Sequence, residues 1–174
     1  MTSIKRIGVV AMSHHSHQAA SFTHTQKALH WTVVALLLLQ YLFFDGMGRP
    51  LREKIETGIA TFSFTVVAHI VIGVTVLVLA VWRIRLRMTH GAPTAPGSEP
   101  GWARTLARIS LILMYVMLIG LPIGGMIGWF TSSEAIAGLH ALGTNVLLAL
   151  ILLHVGAVLV HQFIWKTGLL SRMI

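Results

Sequence analysis

The sequence predicts an all-α integral membrane protein, a bundle of four transmembrane helices, and three observations carry that prediction. The 174 residues are 55% hydrophobic and 10% charged, with a mean hydropathy of +0.79, whereas soluble domains carry about a quarter charged residues. Four apolar segments can be marked, at residues 28–44, 59–82, 106–130 and 135–165. Each is near or above the ~20 residues that cross a bilayer as a helix. Backbone polar groups in lipid must be satisfied within the segment, which leaves the helix as the conformation of each. The links between segments are short, so the four spans are expected to pack as one bundle, the arrangement that builds cofactor sites from facing helices.

Taken in order, residues 1–24 form a polar, His-rich segment, with Ser13 to His17 reading SHHSH. Such a composition predicts a disordered tail, and Met12 offers an alternative start. Residues 25–174 then form the four-helix domain. The first helix is expected to begin near Thr25, a good N-cap, with Trp31 at the membrane interface. The run after Lys27 is too long for a signal peptide and lacks a small-residue cleavage site. The stretch from Asp45 to Pro50 ends the first span, and residues 51–56 read as a short surface helix. A connector at residues 89–101, with Pro93, Pro96, Pro100 and three glycines, follows the second span. The third span holds Pro122 and the Gly124-Gly125 pair, which predicts a kink in its outer half. A short turn makes the third and fourth spans antiparallel neighbours.

Charge sets the orientation. With the amino terminus in the cytoplasm, ten of the thirteen Lys and Arg residues fall inside, and Arg49, Arg52 and Lys54 fall outside. Both termini are therefore expected in the cytoplasm. The net charge of +8 is a topology signal; the basic residues flank helices and form no single face, which argues against nucleic acid as a partner. There is no cysteine, which excludes disulfides, iron–sulfur ligation and covalent haem attachment through C-x-x-C-H.

Five of the ten histidines lie in or at the ends of the apolar spans: His30, His69, His140, His154 and His161. A single membrane histidine is commonly a helix–helix hydrogen bonder, but these are ordered by depth. His140 and His154 are fourteen residues apart on one helix, so both leave the same face about 21 Å apart along the axis. That is about two-thirds of the hydrocarbon thickness. With alternating helix directions, His69 pairs in depth with His140 toward the outside, and His30 with His154 toward the cytoplasm. Two such pairs suit two metal cofactors stacked across the membrane, and bis-histidine b-type haem satisfies them twice. By depth alone His161, two turns past His154 and on its face, matches His30 as well; pairing through His154 is preferred. Gly73, Gly143 and Gly156 near these histidines would let a flat macrocycle approach the backbone, and glycine is also enriched in membrane helices generally. Arg83, Arg104 and Arg108 inside, with Arg52 and Lys54 outside, are candidate partners for haem propionates, and each also reads as an interfacial anchor. A metal-ion or proton transporter using the same histidines is the rival class. It would favour acidic residues in the spans, and none of the five Asp and Glu lies in the middle of one.

The pattern Leu29-His30-Trp31, then His69-x3-Gly73 with Arg83 closing the second span, resembles the bacterial cytochrome b561 family, related to the b-type subunits of nickel–iron hydrogenases. The third span agrees through Tyr115 and Pro122. The fourth agrees through His140, His154 and His161, followed by Phe163-Ile164-Trp165-Lys166 and Leu169-Leu170-Ser171-Arg172-Met173. The similarity runs from about Lys27 to Met173. It departs where members often carry histidine at the start of the third span, since this chain has Arg108 and Leu111 there. The resemblance implies two b haems on His30, His69, His140 and His154, a place in the bacterial inner membrane, and single-electron exchange between an outer-side donor and membrane quinone. Ubiquinone is the implied acceptor, and some members are similar to superoxide–ubiquinone oxidoreductases. For a superoxide donor, Arg52 and Lys54 would attract the anion. His161 is the candidate quinone contact. A membrane anchor relaying electrons for a partner redox enzyme is the alternative within the same chemistry.

Overall fold

In the computed structural model, residues 21–93 and 100–174 are described, and all regular structure among them is helical. Helices α1 (His24–Phe43), α2 (Gly48–Thr57), α3 (Phe64–His90), α4 (Gly101–Thr131) and α5 (Glu134–Leu159) follow in order. A π-helical turn, Val160–Ile164, extends α5, and a 3-10 turn, Leu170–Arg172, comes near the end. The predicted disordered tail lies, up to residue 20, outside the described residues, as does the 94–99 part of the connector.

The helix ends follow from local chemistry. α1 starts one turn earlier than its apolar run because Thr23 and Gln26 form a capping box: Gln26 N–H donates to Thr23 Oγ1 (3.2 Å) and Thr23 N–H donates to Gln26 Oε1 (3.0 Å). Thr25, the expected cap, lies inside the helix, and position 28 is Ala, which offers no return bond. Ser63 and Ser133 cap α3 and α5 through their side chains alone, accepting from the N–H of Val66 and of Ile136. α2 ends where Gly58 (φ 72°) takes the left-handed turn, and α3 where Gly91 (φ 73°) leaves the helix in an extended conformation of positive φ, both open to glycine without a Cβ penalty. α4 runs through Pro122 as one helix.

α3, α4 and the α5 helix with its π turn are each long and apolar enough to cross a membrane. α1 is less apolar, since Gln26, Lys27, His30 and Gln40 interrupt it. It makes a fourth candidate crossing only together with α2, which is bent 65° from it. Large apolar side chains such as Leu38, Val71, Val78, Ile112, Val116 and Leu152 are exposed. That is the expected outer surface of a bundle whose solvent is lipid.

The closest packing is between α4 and α5, followed by α1 with α3 and α3 with α4. Small residues permit the α4–α5 approach: a Cβ on Gly143 would lie 2.5 Å from Leu121 Cδ2, and one on Gly128 would lie 3.2 Å from the Ala137 backbone nitrogen. α5 is not among the closely packed neighbours of α1 or α3. It faces them across the middle of the bundle, where Val33, Val76, Ala80, Leu118 and Leu147 form a buried apolar layer. Leu147 is seven residues from both His140 and His154.

Candidate functional site

Four of the five span histidines meet in twos. His69, near the start of α3, faces His140, near the start of α5, with ring centroids 6.1 Å apart and planes at 61°. His30, in the second turn of α1, faces His154, near the end of α5, at 6.5 Å and 64°. An imidazole nitrogen bonds a metal at about 2.0–2.1 Å and lies about 1.1 Å from its ring centre, so two imidazoles flanking one metal have centroids about 6.3 Å apart. The two observed distances bracket that value.

Edge-to-face rings in plain contact have similar centroid distances, so the ring nitrogens matter more. His69 Nδ1 lies 2.6 Å from the carbonyl oxygen of Phe44, and His140 Nδ1 lies 2.9 Å from that of Leu121. A carbonyl can accept but not donate, so each Nδ1 carries the proton and each Nε2 keeps its lone pair. That is the tautomer of a metal-ligating histidine steadied by a backbone carbonyl. Local structure supplies both acceptors. Phe44 is the C-cap of α1, where carbonyls lack helical partners. On α4 the imidazole of His140 reaches the Leu121 carbonyl because residue 125 is glycine: a Cβ there would sit 2.9 Å from His140 Cε1 and 3.0 Å from Nδ1.

Among the described residues, no group of three or more His, Cys, Asp or Glu could hold a metal ion. Two imidazoles alone do not complete a protein metal site. They do complete one whose four remaining ligands come from a planar macrocycle, as in bis-histidine haem. Space and polarity fit such a group. A cavity of about 240 Å³ surrounds His69 and His140, lined among others by Leu37, Gln40, Tyr41, Gly73, Met117 and Trp129. A Cβ on Gly73 would meet nothing within 4 Å, nor would one on Gly156, so both leave open space near the histidines. Gly143 is used differently, for the α4–α5 contact described above. Within the cavity Gln40 Nε2 donates to the His69 carbonyl (3.3 Å), while its Oε1 is buried without a partner. Near the other pair Arg83 lies within electrostatic reach of both His30 and His154, and its Nη1 is buried without a hydrogen-bond partner. An unpaired buried donor on a cation, beside two imidazoles, suits a carboxylate.

The other predicted residues stand apart from the pairs. Arg104 and Arg108 are exposed on the first turns of α4, and Arg52 is exposed on α2. Lys54 is engaged: its Nζ donates to the Trp129 carbonyl and to Ser132 Oγ (3.0 Å), closing the end of α4, and lies 5.4 Å from the Trp129 ring centre. His161 is buried, with its ring edge-to-face on Trp165 at 4.6 Å and Nδ1 3.1 Å from Thr167 Oγ1. The expectation that it shares the face of His154 assumes an unbroken α-helix. The helix is π-helical from Val160 to Ile164, so His161 lies where the α-helical repeat ends. Its neighbour Gln162 has a buried Oε1 without a partner. Gly125, Gln40 and the carbonyls of Phe44 and Leu121 are the site features that sequence reading missed. Of these only Gly125 left a signal, and the Gly124-Gly125 pair reads equally well as a kink.

Helices apolar enough to span a bilayer, carrying facing histidine pairs suited to a macrocycle, define a membrane haem protein. Residues 21–174 match the family model described as prokaryotic cytochrome b561. A cytochrome b562 from Cereibacter sphaeroides is 33% identical over 160 residues, covering 90% of this chain and 96% of the relative. Cytochrome b561 homolog 1 from Escherichia coli K12 is 25% identical over 173 residues, covering 87% and 96%. The chain belongs to the prokaryotic cytochrome b561 family and is a membrane b-type cytochrome.

Proposed function

We propose that this chain is a four-span, di-haem cytochrome of the bacterial inner membrane that passes single electrons between an outer-side donor and membrane quinone, with ubiquinone as acceptor. The observation that carries the reading is the pairing of four histidines in twos at metal-bridging distance, about 21 Å apart along α5. His69 and His140 would hold the outer haem, and His30 and His154 the inner one. Haem, when bound, supplies a one-electron carrier whose potential depends on axial ligands, burial and hydrogen bonding. The chain's own contributions are specific. Phe44 and Leu121 fix the tautomers of the outer ligands. Arg83 offers its guanidinium to an inner propionate. The apolar layer around Leu147 keeps water from running between the pairs. On the cytoplasmic side the quinone contact falls to His161 or Gln162. On the outer side Arg52 remains exposed to an approaching anion such as superoxide, while Lys54 is occupied in holding α4.

The deciding experiment is a pyridine haemochrome count on purified protein, followed by anaerobic reoxidation of the reduced protein by a short-chain ubiquinone. Two b haems per chain are expected. His69→Ala or His140→Ala should remove one, and His30→Ala or His154→Ala the other. A colourless protein after expression with haem supplied would sink the reading, and two haems without quinone-driven reoxidation would sink its acceptor.

A further inference from the structure

Three side chains near the start of α1 reach into the last seven residues. Ser21 Oγ donates to the carbonyl of Arg172 (3.2 Å), Trp31 Nε1 to that of Met173 (3.0 Å), and Lys27 Nζ to that of Ile174 (2.6 Å). The acceptors are consecutive, so residues 172–174 lie along the first turns of α1. The chain is turned back to reach them. α5 widens into its π turn, and Lys166 (φ 51°) and Gly168 (φ 65°) adopt the left-handed conformation. His161 holds the return: Thr167 donates to its carbonyl from N–H (3.0 Å) and from Oγ1 (3.3 Å).

This matters because α1 packs on α3 and α5 packs on α4, with no close helix packing between α1 and α5. Their separation sets the distance from His30 to His154, and it is bridged at two heights. Tyr41 OH donates to the Thr144 carbonyl (2.7 Å), and at the His30 end the bridge is residues 168–174. Trp31 joins both roles, since its ring meets His30 edge-to-face at 5.3 Å while its N–H holds Met173. Gln26 anchors the opposite side of the same turn, donating to the Gly91 carbonyl at the end of α3 (3.2 Å).

We propose that residues 168–174 are a strap that sets the α1–α5 gap, with Trp31 as a positioning residue for His30. The inference rests on the reading of His30 and His154 as the inner haem pair. The outer pair, on α3 and α5, does not depend on it. The test uses the full chain loaded with haem, redox-titrated so that two components are resolved, the inner one being that lost in His154→Ala. Truncation after Thr167 should lower haem content from two per chain toward one, at the expense of the inner component. Trp31→Phe, which keeps the ring and removes the donor, should leave two haems and shift the midpoint and low-spin electron paramagnetic resonance signal of the inner component alone. Unchanged components in both variants would overturn the strap. Equal change of both components would also overturn it, since that is the mark of general destabilisation. A wild-type chain that never binds two haems would overturn the di-haem reading itself, and the strap with it.

Discussion

Gly125 and Arg83 show how one position can govern each end of the site. At Gly125 there is no room for a methyl group beside the His140 ring. Gly125→Ala should therefore push the imidazole off the Leu121 carbonyl, reduce haem content from two toward one, and cost about 1–3 kcal/mol from overpacking. Gly124→Ala, whose Cβ would meet nothing within 4 Å, is the control and should keep both haems. A retained outer component in Gly125→Ala would show that the ring can be held elsewhere. Arg83 places a positive charge near the inner pair, and positive charge favours the reduced, more negative centre. Arg83→Gln should lower the inner midpoint potential, on the order of tens of millivolts, and leave the outer one in place, as redox titration would show. The meeting of the histidines in twos was legible, because fourteen residues of unbroken α-helix return nearly to the same face. The groups that orient them were not, because Phe44 and Leu121 act through carbonyls that every residue has.

At the level of the element, the start of α1 is set by Thr23 rather than Thr25. Thr23→Ala should destabilise the protein by about 0.5–2 kcal/mol, read as a lower unfolding temperature in detergent, with Thr25→Ala close to wild type. Similar losses in both would mean that the capping box adds nothing here. This boundary could have been read from sequence, since Thr23-x-x-Gln26 has the capping-box spacing and Thr25-x-x-Ala28 does not. The π turn could not. Nothing in Val160-His161-Gln162-Phe163-Ile164 departs from a helical pattern, and the turn arises where α5 must leave its axis to feed residues 168–174 back to α1. The α-helical repeat that relates His140 to His154 therefore ends just before His161, seven residues on.

For the molecule as a whole, α1 decides how many times the chain crosses the membrane. α3, α4 and α5 with its π turn are each long and apolar enough to cross, whereas α1 holds Gln26, Lys27, His30 and Gln40 among its apolar residues. Each of those has a reason to be there. Gln26 caps the helix and binds Gly91, Lys27 holds the Ile174 carbonyl, His30 faces His154, and Gln40 binds the His69 carbonyl. Apart from Lys27, whose bond is at an exposed position, the polarity that weakens α1 as a span is directed into the bundle, while Leu38, Leu39 and Leu42 are exposed. A helix packed against α3, with most of its polar side chains engaged by the rest of the chain, is compatible with lipid on its other side. Four crossings put residues 25 and 171 on one side of the membrane and residue 56 on the other. The absence of cysteine makes this directly measurable. Single Thr25→Cys, Glu56→Cys and Ser171→Cys variants should react differently with a membrane-impermeant maleimide in spheroplasts. Residue 56 should label at once, and residues 25 and 171 only after permeabilisation. Equal labelling of residues 25 and 56 would mean that α1 lies along one surface. His30 could not then sit at the depth of His154, and the inner haem site would lose its partner.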